Sequence, residues 1–177
     1  MAEKKENAMA SEQTVGRTEA GVSPGDIEHY LSVSALGSEL TADETALLAK
    51  HTQLAKLSDG EILISEGDQN DYLYAIVKGK FAVMRSSSRG QERLSTFGPG
   101  MITGELAFLD GLKRTATVKA EGDECCVITL SRRDLETLVT KNPRLVYKVM
   151  RAIVRAAYGH VSKMDSTYTE LMGYISG

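Results

Sequence analysis

The segment Gly104–Thr117 reads GELAFLDGLKRTAT, and its residue types make up a small anion pocket with a carboxylate beside it. Gly104 permits a tight backbone turn. Leu106-Ala107-Phe108-Leu109 is too short for an independent helix, but one turn of it would aim free N–H groups at an anion. Arg114 supplies a permanent, planar positive charge suited to phosphate, and Thr115 adds a hydroxyl next to it. Glu105 would repel a phosphate. Its presence makes sense if it accepts a hydrogen bond from a ribose hydroxyl of the same ligand. Taken singly these residues are ordinary: Gly-Glu-Leu-Ala is a common helix start with Glu at the positive end of the dipole, and a lone Arg is a solvated one. Their joint occurrence is what points to a pocket.

The flanking sequence is strand-like. Between Leu57 and Leu130, short runs at Glu61–Ile64, Tyr72–Val77, Lys80–Met84, Glu92–Phe97, Ala116–Ala120 and Cys125–Leu130 are punctuated by Gly60, Gly67, Gly79, Gly90 and Gly98-Pro99-Gly100. This pattern predicts a β jelly-roll barrel of about eight strands, with the 104–117 segment between two of them. Helical segments bracket the barrel, so the fold class is α+β. On the N-terminal side, Asp26–Leu31 begins a short helix. Thr41 and Glu44 form a capping box ahead of Leu47, Leu48 and Leu54, which makes residues 26–56 helical. On the C-terminal side, Arg133–Val139 forms one helix. A second, long helix starts at Pro143 and reaches about Met172 within the helical region 132–177. Residues 1–25 are polar and read as a flexible tail.

Composition sets outer limits. The chain has 177 residues and a net charge of −3, which suits one globular domain and offers no strongly basic face for a polyanion. No apolar run approaches the roughly 18 residues of a membrane span, and no hydrophobic stretch follows Lys4 and Lys5, so neither a span nor a secretory signal is expected. The two cysteines, Cys125 and Cys126, are adjacent and so point to opposite faces of a strand. They read as small core side chains in a reducing cytoplasm.

The Gly104–Thr117 segment resembles the phosphate-binding cassette of cyclic-nucleotide-binding domains. These occur in cAMP-dependent kinase regulatory subunits, nucleotide-gated channels and the bacterial catabolite activators. The family pattern is Gly-Glu-Leu-Ala, a short spacer, then Arg followed by a small residue and Ala, and each part is present here at that spacing. The resemblance runs from about Leu40 to Met172 and includes the glycines in Glu66-Gly67-Asp68 and Val77-Lys78-Gly79. It implies that Glu105 binds the ribose 2′-hydroxyl. It also implies that Arg114 and the amides of Leu106 and Ala107, after the Gly104 turn, hold the cyclic phosphate, with Thr115 touching phosphate or base. Thr115 matches cGMP-preferring members. Ser95 stands where cGMP kinases carry Arg and the bacterial cAMP activators carry Ser, so cAMP is expected over cGMP. Alignment from Asn142-Pro143 puts His160 near the family's base contact on the long helix, where the activators carry Thr-Ser.

That helix carries a second pattern. Tyr147, Val154, Val161, Tyr168 and Ile175 are seven apart, as are Met150, Ala157, Met164 and Leu171. The interleaved sets form a coiled-coil stripe, and Val146, Val149 and Ile153 offer a separate face for the barrel, so a homodimer through residues 143–172 is expected. Arg144, Lys148, Arg151 and Arg155 share one side and read as a solvated face. The catabolite activators continue past this helix into a helix-turn-helix domain, whereas this sequence stops at Gly177. Direct DNA binding is therefore not expected, and output would pass to a separate, unidentified effector protein.

Two other classes compete with a regulatory sensor. One is a dimeric scaffold that keeps the fold without a ligand. The other is a cupin-like enzyme, which would need metal ligands on its strands. The three histidines, His29, His51 and His160, lie outside the strand-like runs, so neither catalysis nor a metal or further cofactor is expected.

Overall fold

Two capping boxes begin the N-terminal helices. Ser23 accepts a hydrogen bond from the Asp26 amide while the Asp26 carboxylate accepts one from the Ser23 amide. Pro24 pre-sets the first helical residue of α1, Pro24–Val33. Thr41 and Glu44 repeat the exchange at the head of α2, Ala42–Ala49, as the sequence predicts. The fold comes from a computed structural model that describes residues 17–18 and 23–175, with side chains described through Ser162. The expected polar tail falls largely outside the described residues. So do the side chains of Met164, Tyr168, Leu171 and Ile175.

The described strands are β1 (Arg17–Thr18), β2 (Thr52–Leu57), β3 (Ile62–Ile64), β4 (Tyr72–Ser87), β5 (Gly90–Phe97), β6 (Ile102–Thr103) and β7 (Thr117–Ser131). All pair antiparallel in the order β1-β2-β7-β4-β5, with β3 added to β7 and β6 to β4. This hydrogen-bonded path does not close on itself, so the expected barrel is an open, strongly bent sheet. Its seven strands come close to the predicted number of about eight, but they do not follow the predicted runs one for one. Tyr72–Val77 and Lys80–Met84 are one continuous strand, as are Ala116–Ala120 and Cys125–Leu130. Gly79, read as a turn between the first two runs, lies at a register shift within the β4–β7 ladder. At Gly79 a Cβ would come within 2.4 Å of Cys125 Sγ.

The N-terminal helical region also ends sooner than predicted. Thr52–Leu57 is β2, not helix, with Leu54 opposite Ile128 and Leu57 opposite Cys125. Leu54 falls on the helical repeat of Leu47 by coincidence. What fixes it is burial against β7.

The bent sheet separates two cores. Inside the bend, Leu63, Tyr74, Phe81 and Val127 pack with Cys125. On the other face, Leu73 and Ile128 pack with Cys126 beneath α1, α2 and the C-terminal helices. The adjacent cysteines do point to opposite faces, and both are buried thiols outside any disulfide. Among the described residues no helix is long and apolar enough to cross a membrane.

Ser131 caps α4, Arg132–Lys141, by accepting from the Asp134 amide. The chain breaks at Asn142 and resumes as α5, Pro143–Ile175. Val149 and Ile153 are fully buried in the helix-side core, while Tyr147, Val154 and Val161 are exposed. The row of basic residues is not simply solvated. Lys148 pairs with Glu44 at 2.5 Å, and Arg151 and Arg155 both pair with Glu39, fastening α5 to the N-terminal helices.

Candidate functional site

Gly104 stands between β6 and the short helix α3, Glu105–Asp110, with a left-handed φ of 83°. A Cβ there would sit 2.5 Å from Arg114 Nη1. Glycine therefore serves both the backbone turn and the approach of a guanidinium. Gly111 ends α3, its amide donating to the Ala107 carbonyl at 2.9 Å. The first-turn amides of so short a helix have no partners within it.

Arg114 is 4% exposed. Its Nη1 donates to the Gly104 carbonyl at 2.6 Å, and its Nη2 donates to the Tyr72 carbonyl at 2.5 Å and to both oxygens of Asn70. Segments 67–68 and 114 also exchange backbone hydrogen bonds at 2.8 Å. All the oxygens that hold the guanidinium are thus uncharged. Its Nε has no partner among the described residues, nor has the buried Tyr74 hydroxyl, whose ring lies 5.9 Å from the guanidinium carbon. Burial pushes the Arg114 pKa down from its ordinary value, against the opposing pull of Tyr74 and Glu105. An arginine stays charged even so. Burial likewise pushes the Tyr74 phenol up to about 12. The result is a desolvated cation whose hydrogen-bond acceptors are all neutral, with the Glu105 and Asp71 carboxylates acting on it only from beyond ion-pair distance.

Glu105, also buried, opens α3. Its Oε1 lies 2.8 Å from Nδ1 of His160 on α5. The imidazole stacks on Phe97 at the end of β5, with centroids 4.8 Å apart and planes 7° from parallel. The structure therefore brings Gly104, Glu105, Arg114 and His160 together. His160 meets the Glu105 carboxylate and lies flat on Phe97. Ala107 is buried in α3, whereas Leu106, Thr115 and Ser95 are exposed. Ser95 is paired with Val83 and, two residues from Phe97, shares its strand face.

Several participants carried no sequence signal. Asn70 lies in the polar run Asp68-Gln69-Asn70-Asp71, where nothing distinguishes it. Arg132, at the start of α4, donates from Nε to the Phe108 carbonyl at 2.7 Å and from Nη2 to that of Ala107 at 2.9 Å. It also pairs with Asp71 at 3.0 Å. One side chain thus ties the end of α3 to both β4 and the C-terminal helices. Phe97 was legible only as a strand residue. A separate cleft of about 220 Å3, lined by Tyr30, Val33, Ser34, Ile76, Val77, Pro99 and Gly100, holds none of these residues and no charged group.

A family model described as a cyclic nucleotide-binding domain matches residues 54–142, so α5 lies beyond the match. A cAMP-dependent protein kinase regulatory subunit from Mycosarcoma maydis is 33% identical over 116 residues, covering 63% of this chain and 22% of that protein. The cyclic AMP receptor protein of Thermus thermophilus is 29% identical over 123 residues, covering 69% of this chain and 56% of that protein. The chain thus spans about a fifth of the first curated relative and little more than half of the second. A solved cyclic nucleotide-binding domain from Methylobacillus flagellatus shares the fold, with a TM-score of 0.71 at 24% identity, covering 85% of this chain and 83% of that one.

Proposed function

The chain belongs to the cyclic nucleotide-binding domain family, and from that premise we propose that it is a regulatory sensor of a cyclic nucleotide, with cAMP favoured over cGMP. The observation that carries this is Arg114, a buried cation held by uncharged oxygens with an unpartnered Nε. Burying a charge without a directly hydrogen-bonded counter-charge costs several kcal/mol, a cost that a bound phosphate would offset. The neighbouring Glu105 supplies what a phosphate alone would not need, an acceptor for a ribose hydroxyl. The amides of Leu106 and Ala107 complete the phosphate contacts. Thr115 and Ser95, both exposed, are left to meet phosphate or base.

Ser95 supports adenine, because the cGMP kinases of the family carry Arg at that position and the bacterial cAMP activators carry Ser. The printed names of the two curated relatives, which refer to cAMP, point the same way. The role is regulatory rather than catalytic. Occupancy would pass through α5 to a separate effector in the cytoplasm, and the exposed Tyr147, Val154 and Val161 support pairing of two copies along that helix. Calorimetric titration with cAMP and with cGMP tests the assignment. Saturable binding with cAMP tighter than cGMP is expected, and no heat from either at millimolar concentration overturns it.

One contact favours a different role. His160 already engages the Glu105 carboxylate, as it would in a dimeric scaffold that needs no ligand. Such a protein would show the same thermal stability with or without either nucleotide.

A further inference from the structure

Glu105 Oε1 is engaged by a side chain that arrives from 55 residues away, His160 Nδ1 at 2.8 Å. The imidazole is not a surface group resting on a carboxylate. Its side chain is 21% exposed, that of Glu105 is 9% exposed, and its ring lies flat on Phe97. A flat heterocycle that stacks on one wall and meets the buried carboxylate offers what the ribose and base of a nucleotide would offer at the same place.

We propose that His160 is a built-in competitor for the ligand. It occupies Glu105 in the free protein, and a nucleotide gains that carboxylate only by expelling the imidazole. The competition presupposes the nucleotide site proposed above.

A second observation gives the expulsion a mechanical consequence. Gly159, the residue before His160, lies inside the continuous helix α5, and a Cβ there would meet nothing within 4 Å. No packing constraint asks for glycine at this position, and glycine weakens a helix interior by about 1 kcal/mol relative to alanine. Val149 and Ile153, about three and two turns earlier, are fully buried and hold the first half of the helix in place. Departure of His160 therefore frees the half of α5 beyond Gly159 and leaves the first half anchored. Ligand occupancy is thereby converted into a change at the end of the helix that carries the exposed stripe. The size of the shift is limited by how differently the ligand binds the latched and released states.

The test compares the full chain with His160→Ala and Gly159→Ala by calorimetric titration of cAMP, and by amide hydrogen exchange along α5. Removing the competitor is expected to tighten cAMP binding roughly tenfold, the scale of one hydrogen bond to a charged group. Without ligand, amides beyond Gly159 should exchange faster in His160→Ala than in the parent, and more slowly in Gly159→Ala. In the parent, cAMP should speed the same amides. If His160→Ala binds cAMP no tighter than the parent, the competition is wrong while the nucleotide site stands. If neither protein binds cAMP or cGMP, the site itself is wrong and the competition falls with it. Exchange beyond Gly159 that is the same in parent and His160→Ala overturns the latch whatever the titrations show.

Discussion

Arg114 Nη1 donates to the carbonyl of Gly104 at 2.6 Å, so the cation of the cassette is anchored on the residue that opens its helix. The two are mutually dependent. The guanidinium can lie there only because Gly104 has no side chain, and the left-handed turn of Gly104 aims its carbonyl at the guanidinium. Asn70 and Tyr72 hold the other nitrogen from the loop before β4 and from its first residue. The charge is thus positioned before any anion arrives, and little ordering is left for binding to supply.

Gly104→Ala therefore damages more than a turn. The new methyl would need a φ near 83° and would meet Arg114 Nη1 at 2.5 Å. Strain of this kind costs about 1–3 kcal/mol. Urea unfolding should report that loss of stability, and cAMP binding should weaken with it.

Arg114→Ala is expected to cost about 2–5 kcal/mol of cAMP binding, the range for deleting one partner of a buried charge pair. Arg114→Lys should recover only part of it, because one ammonium cannot reach the oxygens of Gly104, Asn70 and Tyr72 together. Calorimetry on the two variants measures both losses.

The ion pair between Lys148 and Glu44 sets a pH-dependent contribution to stability. The Lys148 hydrogen bond, followed by the Thr41 amide, holds the Glu44 carboxyl below its ordinary 4.5. A depressed carboxyl stabilises the fold at pH above its unfolded value, and that stabilisation disappears as pH falls through the lower folded value. Lys148→Met should thus be less stable than the parent by about 1 kcal/mol at neutral pH. The gap should shrink between neutral pH and an acid pH at which the lowered carboxyl has become protonated. Denaturant midpoints at the two pH values give the comparison.

The two faces of α5 should respond differently to a buried charge. Val154→Asp on the exposed stripe should leave the fold intact and convert a dimer to monomer in sedimentation. Val149→Asp, on the fully buried face, should unfold the protein or lower its melting temperature sharply, since it places a carboxylate in the helix-side core. If the parent sediments as a monomer, pairing through α5 is wrong.

The residues of the candidate site were legible to the extent that their chemistry is contiguous. Gly104, Glu105 and Arg114 lie within one short segment, so their combination could be read directly from the sequence. Asn70, Phe97 and Arg132 reach the same place from a loop, a strand end and a helix start, and no spacing along the chain records such meetings. His160 was drawn to the site by alignment, but its engagement with Glu105 depends on how α5 crosses α3. In the fold, caps at Thr41 and Pro143 were visible because they are local. The Thr52–Leu57 strand was hidden because Leu54 also fits a helical repeat, and only pairing with β7 decides between the two. The basic row on α5 showed its period plainly, whereas its partners Glu39 and Glu44 lie about 100 residues earlier.

The most direct measurement follows the guanidinium of Arg114 by nitrogen-15 NMR during a cAMP titration, with its signal assigned by its loss in Arg114→Lys. A buried Nε proton that acquires a phosphate acceptor should move downfield and saturate at one cAMP per chain. A signal that stays in place while cAMP binds elsewhere, or a titration in which nothing moves, would contradict the assignment of Arg114 as the phosphate anchor.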